Sequence, residues 1–189
     1  MDAASQYALA YALTTTAGLR GVLSLALVSV AAHLNVIHPI GAFAWLAEPP
    51  VMWILIAVAG AELFADKVPL VDHALHFAQI AVKPAAAAII VGGTVHPQSH
   101  AMLVLLMVVG ALTALGIPAG VMTARGASTA TTGGLANPAL STAEDAAALG
   151  GGILAFVMPI AIAIVALLAS LVVFRFASKA YRRLRPRTP

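Results

Sequence analysis

Residues 101–124, AMLVLLMVVGALTALGIPAGVMTA, run without a single charged side chain. A helix over them would be about 36 Å long, more than the roughly 30 Å hydrocarbon layer of a bilayer. The rest of the chain is built in the same way. It is 61% hydrophobic and 9% charged, against about a quarter charged in a soluble domain. Too little polar surface exists to face water, so the sequence reads as an integral membrane protein. Met1-Asp2 is acidic, and Arg20 stands deep in the first apolar stretch, which is not the pattern of a cleaved secretory signal. Cysteine is absent, so thiol chemistry and disulfides are excluded.

The other apolar stretches are interrupted. Residues 5–34 would make a helix of about 45 Å, but TTTAGLRG at 14–21 cuts it. One kinked helix or two half-helices meeting there fit equally. Residues 33–50 read as a loop, with Trp45 as an interfacial anchor. A second helix starts after Pro50 and runs through Glu62 to about Lys67. PLVDHALHFAQIAV reads as a short amphipathic helix ended by Lys83-Pro84, and residues 70–95 as one bent unit. HPQSH, 96–100, is a polar turn. Gly116 and Pro118 predict a kink, and 124–152 a polar interruption. Within it Ser141 and Glu144 have capping-box spacing, which predicts a short helix capped by Ser141. Residues 153–174 are the last span.

The expected fold is therefore all-α, a polytopic bundle of five or six spans with broken helices. It forms one transmembrane domain over 1–174, followed by a basic tail over 175–189. That tail holds six of the ten basic residues, Arg175, Lys179, Arg182, Arg183, Arg185 and Arg187. By the positive-inside bias it lies in the cytoplasm. The arrangement does not suit nucleic acid, which calls for basic residues on a folded surface with aromatics between them. Halves 1–97 and 98–174 echo each other weakly. Each has an apolar helix, an Arg-Gly pair (Arg20-Gly21, Arg125-Gly126), a polar break and then carboxylates, an order that leaves an inverted repeat open.

The scarce charge is concentrated. AELFADKVPLVDH at 61–73 holds Glu62, Asp66, Lys67 and Asp72. Glu62 and Asp66 are four apart and share a helix face. Carboxylates left alone in hydrocarbon cost several kcal/mol. Arg20, Lys67, Arg125, Lys83, a bound cation or shared protons could compensate them. Asp66, Lys67 and Asp72 can equally mark a wet interfacial loop, and Arg20 with Glu62 or Asp66 can be a purely structural pair. His73 and His76, one turn apart beside Asp72, have the residue types for a metal site. His33, His38, His96 and His100 flank loops. No phosphate loop, nucleophile elbow or zinc-protease motif is present. Neither an enzyme nor a cofactor is expected.

GLRGVLSL, ELFADKVPLVDH, VKPAAAA and NPALSTAEDAAAL together resemble a bacterial family of small polytopic membrane proteins, domain of unknown function 4126. The likeness spans nearly the whole chain. With the basic tail in the cytoplasm, this bacterial resemblance makes the bacterial inner membrane the expected location. It implies that Arg20, Glu62, Asp66, Lys67, Asp72, Asn137, Ser141, Glu144 and Asp145 act as one group. ELFADK is also similar to the Glu-x-Gly-Asp-Lys/Arg-Ser/Thr signature of small divalent-cation/proton exchangers. Here two residues separate Glu62 from Ala65, where that signature has its glycine, and Val68 replaces its Ser or Thr. The expected function is a small transporter or channel for a cation or proton, working as a homo-oligomer in the lipid bilayer. A lipid or anionic-substrate binder or flippase, and a structural accessory subunit, stand beside it.

Overall fold

The computed structural model describes the backbone of residues 1–65, 69–133 and 135–184. Side chains are described there except at 65, 69–77, 119, 124, 127, 173, 174 and 176–184. The described chain is helical throughout: α1 Ala3–Leu19, α2 Gly21–His33, a 3₁₀ helix Gly41–Ala47, α3 Pro49–Ala65, α4 Pro69–Thr94, α5 His100–Thr132, α6 Asn137–Val157 and α7 Pro159–Leu184.

The first apolar stretch is two half-helices, and they fold back on each other. Arg20 alone separates them, in extended conformation (φ −134°, ψ 94°). Ser24 Oγ donates to Thr16 Oγ1 at 2.9 Å. In one straight helix residues eight apart are about 12 Å apart along the axis, so the chain must reverse. Packing against α4 gives the same answer. Gly21 faces Lys83, and Gly93 faces Val28, so α2 runs parallel to α4. Ala10 of α1 clusters with Val91 and Val95 at the far end of α4, so α1 runs antiparallel to it. Met1 and Gln6 accordingly line one cavity with Val36, Ile37 and His38. α1 and α2 form a V about 20–25 Å deep, with Arg20 at its tip and both arms opening at one end of the molecule.

The other helices are arranged around this V. α5 runs parallel to α1, since Leu106 and Met107 pack on the cluster of Ala10, Val91 and Val95, Gly110 meets Thr14 and Ile117 meets Gly18. Glycine at 18 permits that approach, because a Cβ there would lie 2.6 Å from Ile117 Cβ. α6 starts beyond the tip and returns against both arms. Gly151 abuts Thr16, and Gly152 abuts Leu27 and Leu13. After a second one-residue break at Met158 (φ −140°, ψ 68°), α7 packs against α1, α5 and α6. The 3₁₀ helix covers the open end of the V. Phe43 presses on Gly92 and Leu46 on Gly93, while Ser29 Oγ donates to the Leu46 carbonyl at 2.6 Å.

Several expectations are corrected. The 33–50 segment is not only a loop, since it contains the 3₁₀ helix. Pro84 does not end its helix, because α4 is continuous through it. Proline forfeits one backbone bond, but α4 is held on α1, α2 and α5, and such neighbours let bilayer helices keep a proline. The polar interruption shrinks to the few residues between Gly133, left-handed at φ 62°, and Asn137. α5 continues to Thr132, with its hydroxyls turned back onto the helix, Thr129 to the Arg125 carbonyl and Thr132 to that of Ser128. Ser141 is not a cap. α6 begins four residues earlier, at Asn137-Pro138, where the fixed φ of proline suits the first turn.

The interior mixes apolar and polar residues, while the outer faces are rich in large apolar ones. Thr14, Thr15, Thr16, Arg20, Ser24, Ser29, Glu62 and Thr94 are buried, whereas the outer faces carry Trp53, Ile54, Val104, Leu105, Leu112, Ile164, Val165 and Leu168. α5 and α6 are each long and apolar enough to cross a membrane. The 3₁₀ helix with α3, bent by 70°, would make a third, broken span. Hydrocarbon outside and hydroxyls inside is the arrangement a bilayer favours, because helix contacts there rest on small and polar side chains.

Candidate functional site

The tip of the V is where charge collects. Arg20 is 1% exposed, and its Nε lies 2.6 Å from Asp145 Oδ1 on α6. Its Nη2 donates to Ser141 Oγ at 3.2 Å. Ser141 and Asp145 are four apart on one face of α6 and grip the guanidinium together. Glu62, 6% exposed, reaches the same region from α3, where its Oε2 accepts the backbone N–H of Leu23 at 3.3 Å. Leu23 is in the first turn of α2, whose leading N–H groups have no partners within their own helix. A carboxylate from another helix thus caps α2.

Breaking a helix exposes two dipole ends. The end of α1 is partly negative and the start of α2 partly positive. Arg20 follows the former and Glu62 meets the latter, so each charge sits at the helix end that favours it. The Thr16–Ser24 bond ties the arms beside the break, and the Thr16 hydroxyl donates in turn to the Leu13 carbonyl at 2.9 Å.

A second pair lies one residue along α6. Glu144 takes a two-pronged hold from Arg125 of α5, Nη2 to Oε2 at 2.8 Å and Nε to Oε1 at 3.3 Å. Neighbouring residues on a helix point about 100° apart, so Asp145 turns to the V and Glu144 to α5. Exposure is lowest at Arg20 and highest at Arg125. The side chains of Arg20 and Asp145 are 2% and 18% exposed, and those of Glu144 and Arg125 are 15% and 31%. Asn137 is further out, with Nδ2 donating to Thr129 Oγ1 at 3.2 Å and an occluded Oδ1 that accepts no hydrogen bond. Lys83 lies level with the tip, against Gly21.

Arg20, Glu62, Ser141 and Asp145 are thus brought together, with Glu144 and Arg125 adjoining. Asp66 and Lys67 lie outside the described residues, as do the side chains of Asp72, His73 and His76. Among the described residues no group of three His, Asp or Glu could hold a metal ion. Spacing alone offered Arg20 a partner at Glu62 or Asp66, while the family resemblance grouped it with Ser141 and Asp145, which the structure brings to it; neither foresaw Thr16–Ser24 nor the capping of α2. The available signal for the break was the GLRG motif, whose glycines let Ile117 and Lys83 pack closely on either side of Arg20. Two cavities of about 370 and 280 Å³ meet around Ile40 and His96 at the open end of the V, with His100 on the larger and His38 on the smaller.

These features define a class: an all-helical bundle with helices long and apolar enough to cross a membrane and ion pairs held inside it. The chain belongs to the family described as Domain of unknown function (DUF4126), whose model matches residues 7–179. No curated protein and no solved structure matches it.

Proposed function

We propose that the protein is a small secondary transporter or channel for a proton or small cation, with Glu62 and Asp145 as ion-binding carboxylates and Arg20 as the resident counter-charge. The observation that carries this reading is the buried Arg20–Asp145 pair at a one-residue helix break. Discontinuous helices whose ends converge at mid-depth are how many small transporters build a binding site. An arriving ion takes the carboxylates, and Arg20 reclaims them when it leaves. In this reading the first segment is re-entrant, the other helices complete a five- or six-segment bundle, and copies assemble into a homo-oligomer. The basic tail lies on the cytoplasmic side of a bacterial inner membrane.

A second reading, a structural accessory subunit, is favoured by one observation. Both arginines are already engaged by carboxylates, and the two cavities lie at the other end of the V. The same engagement weighs against a lipid-headgroup binder, which needs its arginines available. Purified protein in proteoliposomes decides between transport and support. Under a pH or cation gradient, a fluorescent reporter should show flux that Asp145→Asn and Glu62→Gln abolish while the protein remains folded. Wild-type flux no faster than that of empty liposomes, with both variants losing only thermal stability, would establish the structural role.

A further inference from the structure

The break at Arg20 leaves backbone acceptors without donors. The backbone bonds across it are Arg20 N–H to the Thr16 carbonyl and Ser24 N–H to the Arg20 carbonyl. Among the described residues no hydrogen bond reaches the carbonyls of Ala17, Gly18 and Leu19, the last three of α1. Ala17 and Gly18 are buried and Leu19 is half-buried, where backbone groups ordinarily find partners. Carbonyls at a helix end point along its axis and form its negative pole. The packing register shows what lies ahead of them. Gly151 of α6 is level with Thr16, and α6 runs antiparallel to α1. Asp145, six residues earlier, is about 9 Å back along α6, which sets it just beyond Leu19, with Ser141 one turn further. The cation held there in this conformation is the guanidinium of Arg20, on Asp145 and Ser141.

We propose that the end of α1 is a seat for a dehydrated alkali-metal cation, which takes oxygens of Ala17, Gly18, Leu19, Ser141 and Asp145 when the Arg20 guanidinium moves off them. The donors set the class of ion. Backbone carbonyls do not take up a proton near neutral pH, but they replace the water around a hard cation, and the ends of broken helices do so for sodium in transporters. Asp145 is the one charged group among these five donors, which matches a single positive charge. Arg20 is then a tethered competitor for the seat. The purpose of such a seat rests on the transport reading, but its occupancy can be measured without any flux.

Thermal unfolding in detergent, at constant ionic strength with sodium, potassium or choline as the cation, tests this. Sodium or potassium should raise the melting temperature saturably, as a ligand of the folded state does, and choline should not. Arg20→Gln removes the competitor, so the concentration giving half the effect should fall at least tenfold from its wild-type value. Adding Ser141→Ala to Arg20→Gln removes one donor and should raise that concentration at least threefold. Adding Asp145→Asn instead should abolish the response. That double variant leaves no buried charge unpaired, so it separates loss of the seat from loss of the fold. If Arg20→Gln alone does not fold, the wild type and the double variant still decide, the first responding and the second not. Equal melting in all three salts for the wild type and for Arg20→Gln, or a response kept by the double variant, overturns the proposal. Proton flux in liposomes without any alkali response sinks only the seat, and an alkali response without flux sinks only the transporter.

Discussion

Arg20 Nε lies 2.6 Å from Asp145 Oδ1, joining the tip of the first helical hairpin to the middle of α6. Two charges buried this way stabilise little as a pair, but either one left alone is costly. Arg20→Gln and Asp145→Asn are each expected to lower stability by about 3–5 kcal/mol. The double variant should recover much of the loss. Thermal unfolding in detergent measures all three, and additive losses would show that the two side chains are not coupled.

Glu62 caps α2 through the Leu23 N–H. Glu62→Gln keeps a carbonyl oxygen for that bond but gives up the charge at the helix end, a loss of at most about 2 kcal/mol. Glu62→Ala loses the bond as well and should be the less stable of the two. Equal melting temperatures for the two variants would remove the cap from this description.

Thr16 and Ser24 tie the arms of the V. Ser24→Ala should cost about 1 kcal/mol, and Thr16→Val, which strands the buried serine hydroxyl, about 1–3 kcal/mol. The double variant should cost less than the sum, because no stranded hydroxyl remains. A double-mutant cycle with zero coupling would contradict the contact.

Two glycines offer a paired test of packing. A Cβ at Gly18 would lie 2.6 Å from Ile117 Cβ, while nothing stands within 4 Å of one at Gly116. Gly18→Ala should therefore destabilise by about 1–3 kcal/mol through overpacking. Gly116→Ala should be neutral or stabilise by up to about 1 kcal/mol through helix propensity. The reverse order in unfolding measurements would mean that α1 and α5 do not meet as described.

The outward-facing apolar side chains of α3, α5 and α7 give a simpler expectation. The protein should stay with membranes through an alkaline wash and leave them only in detergent. Release into the wash would be incompatible with hydrocarbon as its solvent.

How far the sequence revealed all this depended on how local each signal was. The apolar run at 101–124 and the turn at 96–100 marked α5 and its start, because composition and capping act over a few residues. Ser99 does cap α5, accepting from the Met102 N–H. Glu62 was recognisable as interior because it stands in an apolar stretch. The partner of Arg20 was not legible from spacing, since proximity in sequence says nothing about which helix fills the groove between two arms; only the family resemblance set Asp145 beside it. Ser141 and Glu144 show the reverse error. Their spacing matches a local cap, but both side chains are used by arginines from other helices. Pro84 misled in the same way, as packing on three neighbours outweighed a local breaking tendency.

The hairpin also has a consequence for how the protein is made. Ser141 lies 121 residues after Arg20, and a ribosome adds about 5–20 residues each second. The arginine therefore leaves the ribosome roughly 6–24 s before α6 exists, and over that interval its charge has no place in hydrocarbon. In the membrane arrangement proposed above, the first hairpin is expected to wait at the headgroup level and to be drawn inward when α6 delivers Ser141 and Asp145. A chain ended at residue 132 is expected to leave a cysteine at position 20 open to water-soluble reagents, and the full-length chain to hide it. Equal protection in both would mean that the hairpin reaches its depth unaided.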